Sequence, residues 1–193
     1  MANKDASFGL KPVKMIGGAP YNGGQSRYRI ASSYDTAIYQ GDIVCQVTGG
    51  GVEIHAVGGT VPVIGVFNGC SYTDPTSGEQ VFKNYYPAST AASDIIANII
   101  DDPMVVFEIQ ADEAFPVADL GNFDTIKTNA GSTKTGISGD EVDVSTGATT
   151  ATLPLKVIDI SQDPNNQDVG SSNTNVYAVI QNHVFGVKSA GLA

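Results

Sequence analysis

The sequence predicts an all-β fold with an extended N-terminal arm, and three observations carry that prediction. Short apolar runs recur between clusters of turn residues. The 193-residue chain holds 22 glycines and many Ser and Thr, a composition that suits frequent turns. Its charge is lopsided. Residues 1–30 carry five of the ten basic residues (Lys4, Lys11, Lys14, Arg27 and Arg29) and only one of the 20 acids, Asp5. A basic, Gly/Pro-rich segment on an acidic body reads as an arm meant for a partner. With 41% apolar residues, the remainder is long enough for one sizeable core or two small ones.

The elements follow in order. Ser26–Ala31 alternates, with Tyr28 and Ile30 on one face and Arg27 and Arg29 on the other. Asp42–Val47 follows the Gln40-Gly41 turn and puts Cys45 beside Ile43 and Val47 as a small core residue. Gly49-Gly50-Gly51 turns into Val52–Val57. Val61–Phe67 is nearly continuous and predicts burial on both faces, with Pro62 at its start or on a free edge. Glu79–Tyr86 alternates Val81 and Lys83 with Phe82 and Asn84.

Ile95, Ile96, Ile99 and Ile100 fit either a helical stripe or a strand. Their β-branching, and the acids Asp101 and Asp102 at what would be a helix C-terminus, favour the strand. Pro103 separates this run from Met104–Gln110. Later strand candidates are Phe123–Thr128, Glu141–Val144, Leu153–Ile160 and Asn175–Val184. Asn68–Ser77, Asn129–Gly139 and Gln162–Asn175 read as polar surface loops, and Ser145–Thr152 as a loop or a weak edge strand. The organisation expected is an arm over 1–25 and a β-barrel-like domain over 26–111. Residues 112–193 then form a second small β subdomain or continue the same core.

The residues offer little for catalysis. His55 shares an alternating face with Glu53 and is expected to be solvated; His183 lies near the end of the last run, and neither is expected to sit in a buried network. A hydrolytic triad needs a His oriented by a carboxylate beside a placed nucleophile, and no Gly-x-Ser-x-Gly elbow occurs. Cys45 and Cys70 fit no metal-ligand spacing. The opening MANKDASFGL lacks an apolar core for a secretory signal, so free thiols are expected.

Asp163, Asn165, Gln167 and Asp168 imitate a calcium loop without its Gly and closing Glu; Asp140, Glu141 and Asp143 read as a solvated acidic loop. No phosphate-cradling Gly-x-x-x-x-Gly-Lys is found, and the absence of Trp removes the usual platform for stacking sugars. The expectation is therefore a non-enzyme with no cofactor and no metal. Net charge −10 argues against nucleic acid or an anionic membrane as partner, and no apolar stretch is long enough to span a bilayer.

The arm carries the binding expectation. Phe8, Leu10 and Tyr21 are apolar anchors spaced by Gly and Pro, and Lys11, Lys14, Arg27 and Arg29 are the cations that would steer them onto an acidic acceptor. These seven residues are the expected partner contacts. Residues 1–25 are expected to be ordered only against a neighbouring chain.

Several segments resemble head decoration, or cement, proteins of tailed bacteriophages. They are Ala2–Pro12 followed by Pro20-Tyr21-Asn22-Gly23, Tyr39–Val44, Val63–Phe67, Asp101-Asp102-Pro103 leading into Val106–Ala111, and Ala151–Lys156. The resemblance implies a barrel-like β-tulip domain on the virion's exterior, made in the host cytoplasm. It implies a homotrimer bound to the major capsid protein, bridging neighbouring capsomers. The rival reading is a β-sandwich glycan-binding module or hydrolase on the virion.

Overall fold

The computed structural model describes residues 3–58, 60–121, 123–127, 129–149, 152–166, 168 and 170–186. Its strands are β1 (Lys11–Met15), β2 (Ser26–Arg29), β3 (Ile38–Tyr39), β4 (Ile43–Gln46), β5 (Val52–Ile54), β6 (Val63–Thr73), β7 (Gln80–Lys83), β8 (Tyr85–Tyr86), β9 (Ile96–Ile100), β10 (Val105–Gln110), β11 (Phe123–Lys127), β12 (Glu141–Ala148), β13 (Leu155–Ile160) and β14 (Asn175–Ile180). A single 3₁₀ turn, Val117–Asp119, is the only helical element among the described residues. The all-β class is as the sequence predicts. Thr128, at the end of one expected strand, lies outside the described residues.

Two six-stranded antiparallel sheets dominate. The first runs β2-β9-β6-β4-β5, with β7 added to β6. A bridge between Arg29 and Gly51 joins its two margins, so the sheet curls back on itself. Its interior packs Ile30, Val44, Ile64, Phe67, Tyr72, Tyr86 and Ile99. The second sheet runs β1-β10-β14-β13-β11-β12, and a bridge from Ala111 to Val142 curls it likewise. Its core holds Phe107, Ile109, Phe115, Val142, Leu155, Val157, Val176 and Ala178.

β6 lies between the two cores. Ile64 and Phe67 face one, Val63 and Val66 the other. This is the two-sided burial its apolar run predicts. Gly65 allows the strand to pass close to its neighbour: a Cβ there would run into the backbone carbonyl of Ile100. The strand continues to Thr73, through residues expected to be loop, because Cys70–Thr73 pairs with β7.

The structure redraws the expected organisation in three places. First, Val105–Gln110 pairs with β14 and β1, so the change of sheet falls at Asp101–Met104 rather than at Ala111. Second, residues 3–15 pack on their own chain. β1 pairs antiparallel with β10, Leu10 is only 2% exposed within the second core, and the Ala6 amide donates to Gln110 Oε1. An arm ordered only against a neighbour is thus not what these residues form; β1 is an edge strand that packs Met15 against the second core beside Leu10 and leaves Val13 exposed. Third, Glu141–Ala148 forms β12, an edge strand that extends the expected Glu141–Val144 through the first half of the stretch read as loop or weak edge strand.

Candidate partner-binding groove

Backbone hydrogen bonds draw segments far apart in sequence into one place. The Leu10 amide donates to Gly41 O at 2.9 Å, and the Gly41 amide donates to Phe67 O at 2.9 Å. The Gly9 amide donates to Asp140 O at 3.2 Å. Gly9 has φ +66°, and a Cβ on it would collide with Ser138 Cβ (2.6 Å) and Gly41 O (2.8 Å), so only glycine lets these strands approach. Above this crossing lies an open groove of about 480 Å³. Phe8, Pro12, Val66 and Ile137 give it an apolar lining, and Gln40, Asn68 and Asn165 supply amides. Side-chain amides also brace one wall: Gln40 Nε2 donates to Asn68 Oδ1 at 2.8 Å, and Asn68 Nδ2 donates to Gln25 Oε1 at 3.0 Å.

The seven expected contact residues have separate fates. Phe8 is half-buried and lines the groove; Leu10 is spent in the core beneath it. Lys11 stands at the rim, its Nζ 3.7 Å from Glu108 Oε2. Lys14 Nζ lies 4.9 Å from the centre of the Tyr177 ring. Tyr21 packs against the second core and donates its hydroxyl to Gly24 O at 2.7 Å; burial, then Asp101 and Asp102, raise its pKa.

Arg27 and Arg29 stay exposed on β2. Strand registers put Arg29, Ile96, Ser71 and Phe82 in a single row across β2, β9, β6 and β7. Phe82 is 74% exposed. Sequence reading missed it as a contact, although a lone Phe between Val81 and Lys83 on an alternating strand was the available signal.

Both histidines depart from expectation. His55, just past the end of β5, is buried: its amide donates to Ile43 O at 3.0 Å, and its Nε2 lies 2.9 Å from Val61 O. His183 is fully buried and its Nδ1 accepts the Phe185 amide at 3.0 Å. Burial lowers both pKa values. Neither ring hydrogen-bonds a carboxylate or hydroxyl among the described residues. Cys45 and Cys70 are buried free thiols, and burial pushes Cys70 up to about 12.

The acidic clusters also resolve differently from their sequence reading. Asp163 is exposed and accepts from Asn165, while Gln167 lies outside the described residues. Asp140 and Glu141 are buried rather than solvated, and Asp143 caps Ser145. No group of three or more His, Cys, Asp or Glu is placed to hold a metal among the described residues. No protein-family model, curated protein or solved structure matches this chain.

Proposed function

We propose that this chain is a structural virion protein that decorates the outside of an icosahedral phage capsid, binding the major capsid protein and bridging neighbouring capsomers as a homotrimer. The observation that supports this most is convergence. Segments that carry the resemblance to decoration proteins, around Phe8–Pro12, Tyr39–Val44, Val63–Phe67 and Val106–Ala111, are distant in sequence yet meet around one groove. The work of such a site is binding rather than catalysis. The groove takes an extended capsid segment, with Phe8 and Ile137 giving apolar contact and the amides meeting its backbone. Arg27, Arg29 and Phe82 form a second contact face, the arginines toward acidic capsid surface. Several modest contacts per copy, repeated in an oligomer, reinforce one another through effective concentration.

Co-sedimentation with undecorated shells tests the proposal. Phe8→Ala should weaken binding on the order of tenfold or more, as loss of a buried aromatic contact does. The pair Arg27→Glu/Arg29→Glu should weaken it further at low salt than at high salt. Full-strength binding by both variants, or virions holding a few copies rather than hundreds, would sink the reading in favour of a tail-borne glycan module.

A further inference from the structure

Beneath the groove, two carboxyl groups are buried side by side where the chain crosses itself. Asp42 precedes β4 and Asp140 precedes β12, and each is only 3% exposed. Both line one small cavity of about 190 Å³, together with Tyr39, Asn129 and Gly131. Ser138 links them: its hydroxyl bonds the Asp42 carboxylate, and its oxygen accepts the Asp140 amide at 3.0 Å. The Tyr39 amide donates to Asp42 Oδ2 at 2.7 Å, and the Asn129 amide donates to Asp140 Oδ1 at 3.2 Å.

The same residues hold the N-terminal segment. Gly9 bonds Asp140 O, Leu10 bonds Gly41 O beside Asp42, and Gly9 abuts Ser138. The other ionisable groups around the pair are Tyr39 and Glu141, with Lys127 opposite Glu141 in the β11–β12 register. No Lys, Arg or His lines the cavity among the described residues.

We propose that Asp42 and Asp140 form an acid-tightened clasp on the N-terminal segment, holding residues 8–10 more firmly when the pair carries a proton than when both carboxylates are charged. Two carboxylates that are each nearly fully buried against one small pocket repel each other and lose their hydration, so the charged pair favours opening the crossing. Burial, then Asp42, pushes Asp140 up to about 7, while Asn129 pulls the other way. Burial raises Asp42 as well, against its bonds from Ser138 and Tyr39. When the crossing opens, these acids return towards the ordinary value of 3.8. Between there and about 7 the closed form holds more protons than the open one. The clasp therefore loosens as pH rises through that window and loosens no further above it.

Hydrogen exchange by NMR on the full chain tests this, with rates corrected for the intrinsic pH dependence of exchange. From pH 7 to pH 5 the protection of the Gly9 and Leu10 amides should rise up to about 100-fold, one proton giving at most tenfold per unit. Amides of β9 should change far less. In Asp140→Asn the rise should vanish. Should that variant fail to fold, Asp42→Asn should at least halve the slope of log protection against pH. A flat wild-type profile overturns the clasp. So does an equal rise in wild type and variant, or an equal rise at β9. None of these readouts depends on shell binding.

Discussion

The first sheet takes its strands from residues 26–100 in one unbroken stretch, whereas the second pairs Lys11–Met15 with strands that begin at Val105. Their interiors differ too. Tyrosines close the first: Tyr86 donates its hydroxyl to Tyr34 O at 2.9 Å, and the Tyr34 hydroxyl accepts the Ile54 amide at 3.3 Å. The second is packed by aliphatic residues and by Phe107 and Phe115, and it borrows Leu10 from the N-terminal segment. The difference teaches that the first sheet is self-sufficient in sequence. The second depends on a segment that lies on the far side of the whole first sheet in sequence from the strand it pairs with.

The strand they share gives the strongest way to break this contrast. Gly65→Val would drive β6 away from Ile100 and disturb both cores at once. A cost above about 3 kcal/mol is expected, because backbone cannot move aside as a flexible side chain can. Soluble yield and circular dichroism read it; a well-folded Gly65→Val protein would mean that β6 does not couple the sheets. Next in size is Leu10→Ala, expected to cost about 2–5 kcal/mol as a buried leucine truncation. At about 2–4 °C per kcal/mol for a chain of this size, melting should fall on the order of 10 °C. Exchange should quicken in β10 and β14 before β9. Removal of residues 2–25 should therefore lower stability clearly, contrary to what an arm standing off its body would do.

The contrast also explains how far the sequence could be read. Most strands of the first sheet were legible because alternation and turn residues are local signals, as in Ser26–Ala31 and Val61–Phe67. The fate of Leu10 was not. Leu10 looks the same whether it covers a neighbour or its own core, and only the long-range pairing of β1 with β10 decides between them. Phe8 and Lys11 were recognised as surface contacts, but the groove they border is made by tertiary convergence that no spacing reveals. The buried Asp42–Asp140 pair was hidden for the same reason. Acidic side chains in Gly-rich loops ordinarily read as solvated, and burial here comes from the crossing of three segments.

Smaller effects should come from the histidines that flank the start of β6. His183→Ala leaves the Phe185 amide without its acceptor and opens a void beside Val63, at about 1–3 kcal/mol. His55→Ala removes one bond to Val61 O, at about 0.5–1.5 kcal/mol. Their pH dependence opposes that of the clasp. Burial depresses both histidines below 6.5, so the unfolded chain takes up protons first and stability falls as pH drops through 6.5 toward the lowered folded values. Urea melts of Asp140→Asn should show this acid loss more plainly than wild type, in which the Asp140 proton offsets it. Identical pH profiles for the two proteins would show that the carboxyl pair contributes nothing to stability.

The smallest effect separates burial from charge in the N-terminal segment. Lys11 reaches Glu108 at 3.7 Å, but its side chain is 65% exposed, and Glu108 already accepts the Ser161 hydroxyl at 2.7 Å. Such a pair is screened by water and contributes about 0.2–1 kcal/mol. Lys14 over Tyr177 adds about 0.5–1 kcal/mol at a half-exposed site. The double change Lys11→Gln/Lys14→Gln keeps the aliphatic stems and removes both charges. It should lower the melting temperature by only about 2–6 °C at low salt and by less at high salt, since screening weakens what the substitutions remove. Beside it, Leu10→Ala should be equally costly at both salt concentrations. If the lysine pair proves as damaging as Leu10→Ala, charge rather than apolar burial fastens β1 to its own sheet. The basic residues would then be committed within the chain instead of free to meet an acidic partner.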